Sequence, residues 1–89
     1  MNARVLRIVN EKGLHARASA KFVEVVEAHD AQAQVTKDGM SVSGDSIMGL
    51  LMLAASKGTS IEIACSGNEA QKLADALEHL VADKFGEGM

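Results

Sequence analysis

The dipeptide Asp38-Gly39 constrains this chain more than any other feature. It separates two short alternating segments, residues 33–37 and 40–43. Asp-Gly accepts the positive φ angles of a two-residue hairpin turn, so the segments must pair antiparallel. A loop of that length sets Lys37 against Met40 and Val35 opposite Val42. Two β-branched side chains then share one face. The fold therefore contains an antiparallel sheet with a defined register.

The flanking periodicities supply the other elements. Residues 4–9 are rich in Val, Leu and Ile and read as a strand, with Arg4 and Arg7 on opposite faces. Residues 10–13 form a polar loop. Residues 16–28 carry a helical repeat. Ala16, Ala20, Val23 and Val26 or Glu27 fall on one side, with Phe22 and Val25 beside them; Arg17, Lys21 and Glu24 lie opposite. Gly44-Asp45-Ser46 offers capping chemistry before a helix over 47–56, with Gly58 as its stop. Residues 60–66 alternate again, with Ile61, Ile63 and Cys65 on one face. A last helix over 70–84 aligns Leu73, Leu77, Leu80 and Val81. The order β-α-β-β-α-β-α predicts an α+β open-faced β-sandwich, a four-stranded antiparallel sheet with three helices on one face. A chain of 89 residues holds one core, so residues 1–89 read as a single domain, with 86–89 expected to fray.

Composition removes several function classes. The chain has no Pro, Trp or Tyr and two Phe, and its formal net charge is −3. Base-stacking aromatics and a basic footprint are both missing, so no nucleic-acid partner is expected. No apolar run is long enough to cross a membrane, and the charged N-terminus does not read as a signal peptide, so a cytoplasmic protein is expected. Cys65 is the single cysteine. Neither it nor His29 or His79 has the spacing of a metal site, and Cys65 reads as a small core residue.

The segment from Gly13 to Val23 carries the chemistry. His15 falls where the loop ends and the helix begins. The first amides of a helix lack intrahelical partners, and the helix dipole favours negative charge there. That environment favours a neutral, nucleophilic imidazole. A phosphoryl group on one ring nitrogen would meet the amides of Ala16 and Arg17. The Arg17 guanidinium adds charge-assisted hydrogen bonds. Gly13 permits close approach of a partner.

Gly13-Leu14-His15-Ala16-Arg17, the Lys21-Phe22-Val23 that follows, the Asp38-Gly39 hairpin and Asp45-Ser46-Ile47-Met48-Gly49-Leu50 together resemble the HPr family. These are the histidine-containing phosphocarriers of the bacterial phosphoenolpyruvate-dependent phosphotransferase system. The resemblance covers nearly the whole chain. It implies that His15 accepts a phosphoryl group on Nδ1 from enzyme I and passes it to a histidine of an enzyme IIA component, with Arg17 steadying the group. It implies a carrier without independent turnover, needing no cofactor or metal of its own and acting as a monomer. Ser46 matches the serine modified by HPr kinase/phosphorylase where that partner exists. Phosphoserine there would add about −1.5 to −2 charges at a helix start and weaken docking without unfolding the helix. The helix after Ser46 is apolar nearly all round. Leu50 and Leu53 are expected in the core. Ile47, Met48, Leu51 and Met52 are left as an adaptable docking patch, rimmed by the charges of Arg17 and Lys21. The chain departs from the family at Ala18, where proline is common. A helix start survives that change. Two alternatives remain: a nitrogen-branch phosphocarrier that acts mainly by signalling, and a small ligand-binding regulatory domain with no need of His15.

Overall fold

The computed structural model describes residues 2–87. The strands are β1 (Asn2–Arg7), β2 (Gln32–Lys37), β3 (Met40–Ser43) and β4 (Ser60–Ser66). The helices are α1 (Ala16–Glu27), α2 (Ile47–Met52) and α3 (Ala70–Ala82), and a 3-10 turn follows at Lys84–Gly86. The sheet is antiparallel in the order β1-β4-β2-β3.

The hairpin has the register that its turn dictates. Lys37 faces Met40 and Val35 faces Val42. Asp38 and Gly39 sit at φ 50° and 83°, the twist that joins two right-handed strands. β4 lies between β1 and β2, so Ile61, Ile63 and Cys65 line the middle of the buried face. Burial pushes the Cys65 thiol pKa up, as suits a core side chain. Leu6 joins Ile61 from β1, and Val35 joins Ile63 from β2.

The helices close that face. Phe22, Val23 and Val26 of α1, Leu50 of α2, and Leu73, Leu77 and Val81 of α3 enter one core with the strand residues. The unequal faces of β1 have a simple cause. Arg4 turns to the helix side and pairs with Asp75 at 2.6 Å and Glu78 at 2.7 Å on α3. Arg7 stays on the open face. These contacts hold the Arg4 pKa above its ordinary value.

Several boundaries and faces differ from the sequence pattern. α3 ends at Ala82 rather than residue 84, because Lys84 and Phe85 take left-handed φ of 56° and 55°. β1 spans 2–7 rather than 4–9, because its ladder with β4 ends at Arg7 opposite Ser60. The buried centre of α1 is Ala18, Ser19 and Phe22, while Ala16 is exposed. The Ser19 hydroxyl is accommodated there by donating to the Leu14 carbonyl at 3.3 Å. α2 ends at Met52 rather than residue 56. Ala54 takes a left-handed φ of 50°, and the Ala55 carbonyl turns to accept Leu14 N–H at 2.8 Å. Finally, Gly86 and Glu87, expected to fray, are held. Phe85 is fully buried, Lys21 Nζ donates to its carbonyl at 2.7 Å, and Glu87 reaches the loop of Asn10 and His15. Gly88 and Met89, the rest of that tail, lie outside the described residues.

Candidate functional site

The loop before α1 is locked from below. Leu14 is buried, and its N–H bonds to Ala55 O. Gly13 has φ +65°, and a Cβ there would stand 2.4 Å from the Ala55 carbonyl oxygen. Only glycine lets the two loops approach this closely. Asn10 is fully buried and donates from Nδ2 to Gly13 O at 2.8 Å. The segment that carries His15 is therefore fixed on both sides of Gly13.

His15 is the N-cap of α1, with extended backbone at φ −78° and ψ −176°. Its Nδ1 accepts the Arg17 backbone N–H at 3.3 Å, a long, weak bond. Its carbonyl takes the first intrahelical bond, from Ser19 N–H at 2.8 Å. The amides of Ala16, Arg17 and Ala18 thus precede the helical ladder, and that of Arg17 is directed at the imidazole. A nitrogen that accepts a hydrogen bond holds a lone pair, so this contact matches the neutral tautomer with Nδ1 unprotonated.

The other ring nitrogen, Nε2, contacts the Glu87 carboxylate. Glu87 in turn accepts from Asn10 Nδ2 at 2.9 Å. Burial raises the Glu87 pKa, but the hydrogen bonds from Asn10 and His15 outweigh it. With the nearby Lys12 charge, they hold the carboxyl below its ordinary value. His15, Ala16, Arg17, Lys12, Lys21, Glu11, Gly86 and Glu87 line one open recess. Three cations, Lys12, Arg17 and Lys21, and two carboxylates, Glu11 and Glu87, share this lining, so the recess carries a small positive excess. Among the described residues, no group of three or more His, Cys, Asp or Glu side chains is placed to hold a metal ion.

The structure brings His15, Ala16, Arg17 and Lys21 into that recess. The ammonium of Lys21 is already engaged by the Phe85 carbonyl, so it is less free than a rim charge would be. Lys12, read as a solvated loop residue, belongs to the recess wall while remaining exposed. Ser46 is the N-cap of α2, and its Oγ accepts Gly49 N–H at 3.0 Å. Asp45, the other capping candidate, accepts from Ser43 Oγ at 2.6 Å instead. Ile47, Met48, Leu51 and Met52 are 41%, 71%, 37% and 65% exposed, whereas Leu50 and Leu53 are buried, so α2 presents an uncovered apolar face. Asn10 and Glu87 were missed by sequence reasoning. They lie 77 positions apart, and no local spacing links a loop asparagine to a glutamate at the far end of the chain.

A family profile described as "PTS HPr component phosphorylation site" matches residues 3–83. The chain belongs to the HPr family of phosphocarrier proteins. It is 46% identical over 83 residues to the phosphocarrier protein HPr of Neisseria meningitidis serogroup A, covering 93% of each. It is 42% identical over 89 residues to the phosphocarrier protein HPr of Pseudomonas aeruginosa, covering 99% of each. The crystal structure of HPr-C-His from Thermoanaerobacter tengcongensis superposes with a TM-score of 0.95 at 35% identity, covering 100% of both chains. The match in fold thus covers the whole chain, and the match to the family profile covers residues 3–83. No helix among the described residues is long and apolar enough to cross a membrane.

Proposed function

We propose that this chain accepts a phosphoryl group on Nδ1 of His15 from phosphorylated enzyme I and delivers it to a histidine of an enzyme IIA component. The observation that carries this reading is the capping geometry, with the Nδ1 lone pair turned toward the free amides that open α1. The Nδ1 lone pair forms the N–P bond as the bond from phosphorus to the donor breaks, and the donor keeps that electron pair. Nδ1 can then no longer accept from Arg17 N–H. That amide is released and, with Ala16 N–H and the Arg17 guanidinium, would bind phosphoryl oxygens. Stabilisation of this kind, electrostatic and preorganised, suits phosphoryl transfer. An exposed helix start with a few cations holds the group without trapping it. The chemistry at phosphoenolpyruvate and its metal belong to the partner, so the chain needs no cofactor and makes no turnover alone.

The uncovered face of α2, Ile47, Met48, Leu51 and Met52, would dock both partners in turn. Met side chains adapt to different surfaces. Such a carrier works as a cytoplasmic monomer that presents one site to successive partners. Where an HPr kinase/phosphorylase is present, phosphorylation of Ser46 would set negative charge beside this face and repel acidic partners. Ser46→Asp should then slow phosphoryl acceptance without changing thermal stability. Equal rates for Ser46→Asp and wild type would remove the regulatory role.

The test of the main reading is intact-mass analysis after incubation with enzyme I, magnesium and phosphoenolpyruvate at alkaline pH. The expected result is one phosphoryl adduct that is lost on mild acid and absent from His15→Ala. No adduct with an active cognate enzyme I would refute it.

A further inference from the structure

We infer that Glu87 is a positioning residue for phosphoryl transfer at His15. Its carboxylate holds the Nε2 proton so that Nδ1 presents its lone pair, and it faces the positive charge that the ring acquires. The inference rests on the functional reading above and adds a residue from the opposite end of the chain.

A carboxylate only accepts hydrogen bonds. Its contact with Nε2 therefore requires the proton on Nε2, and in the neutral ring Nδ1 is then the nitrogen with the lone pair. The Arg17 N–H on Nδ1 selects the same tautomer from the other side of the ring. When Nδ1 gives its electron pair to phosphorus, the imidazole keeps its Nε2 proton and becomes cationic. The Glu87 carboxylate stands against that charge, as an acidic partner does behind a nucleophile's histidine elsewhere.

Glu87 is itself oriented. Asn10 Nδ2 donates to Glu87 Oε1 at 2.9 Å and to Gly13 O at 2.8 Å. Both amide protons are used, so a flipped Asn10 would set oxygen against two oxygens. Its Oδ1 is buried without a hydrogen-bond partner. One amide proton of Asn10 holds the loop at Gly13 and the other holds Glu87, so a single buried side chain sets both the His15 segment and its carboxylate partner. The turn after α3 brings Glu87 within reach. Phe85 is buried at φ 55°, and Lys21 Nζ holds its carbonyl.

The test uses full-length protein labelled with 15N-histidine, as wild type and as Glu87→Ala, Glu87→Gln and Glu87→Asp. Nitrogen shifts report the His15 tautomer, and enzyme I assays report transfer. Wild type should show a protonated Nε2 and a bare Nδ1. Glu87→Ala should show mixed tautomers and about a tenfold lower kcat for phosphoryl acceptance, the low end of the loss when a metal-bound histidine is deprived of the partner on its other ring nitrogen. KM for the carrier should not change. Glu87→Gln can accept the hydrogen bond without the charge and should fall between. Glu87→Asp should recover part of the rate. A wild-type tautomer and rate in Glu87→Ala would overturn the inference, as would a rise in KM alone or a rate loss that follows loss of folding. Failure of the wild type itself to accept phosphate from active enzyme I would refute the carrier reading instead. The tautomer comparison would then still decide what Glu87 does to the ring.

Discussion

Replacing Ala54 by glycine should stabilise this fold, although it removes a methyl group. Ala54 holds φ 50° just past α2, where an L-residue's Cβ crowds the backbone. That conformation costs a non-glycine residue about 1–2 kcal/mol. Glycine relieves it but adds about 0.4–1 kcal/mol of unfolded-chain entropy. Ala54 is exposed, so no packing is lost. The net gain should be about 0.5–1 kcal/mol, or roughly 3–6 °C in Tm for a domain of this size. Paired urea and thermal melts would measure it. Gly39→Ala is the opposite control. Gly39 has φ +83°, and a Cβ added there would meet nothing within 4 Å, so steric contact is absent and only backbone strain acts. It should lose about 1 kcal/mol. Because Ala54 adjoins the carbonyl that anchors Leu14, phosphoryl acceptance in Ala54→Gly also reports whether the strain serves the site. Unchanged acceptance is expected. A destabilised Ala54→Gly, or a Gly39→Ala as stable as wild type, would refute the left-handed strain argument.

Ser46→Ala should cost about 1 kcal/mol by denaturant melts, because Gly49 N–H loses the Oγ that caps α2 at 3.0 Å. Glu87 and Glu11 should both contribute to acid unfolding. Glu11 is held below its ordinary pKa by the hydrogen bond and charge of Lys57, and Glu87 by the hydrogen bonds of Asn10 and His15 against its burial. A carboxyl lowered in the folded state gives its full stabilisation above its unfolded pKa and loses it as pH falls through the folded one. Urea melts from about pH 7 to pH 3 should therefore show a shallower acid loss in Glu11→Gln and Glu87→Gln than in wild type. Identical slopes would contradict the assignment.

Local signals carried much of the fold. Asp38-Gly39 set a register that the sheet keeps at Lys37–Met40 and Val35–Val42. The apolar excess around α2 foretold which side chains stay uncovered, and the loop-to-helix junction placed His15 as the cap. What the pattern did not contain depends on contacts between distant segments. α2 stops early because Leu14, far back along the chain from Ala55, draws that carbonyl out of a helical bond. The buried side of α1 is fixed by where the sheet and α3 press on it, which moved Ala18 and Ser19 inward and left Ala16 outside. Gly86-Glu87 looked like a loose tail because Gly and a lone acid carry no periodicity. Its order comes from Phe85, Lys21 and Asn10, none of them predictable partners from spacing.

The most direct measurement is NMR of 15N-histidine-labelled protein after phosphorylation by enzyme I, read for phosphorus–nitrogen coupling. Coupling to Nδ1 of His15, with none to His29 or His79, is the predicted result. Coupling to Nε2 of His15, or to any other histidine, would contradict the proposal that the Nδ1 lone pair at the start of α1 takes the phosphoryl group.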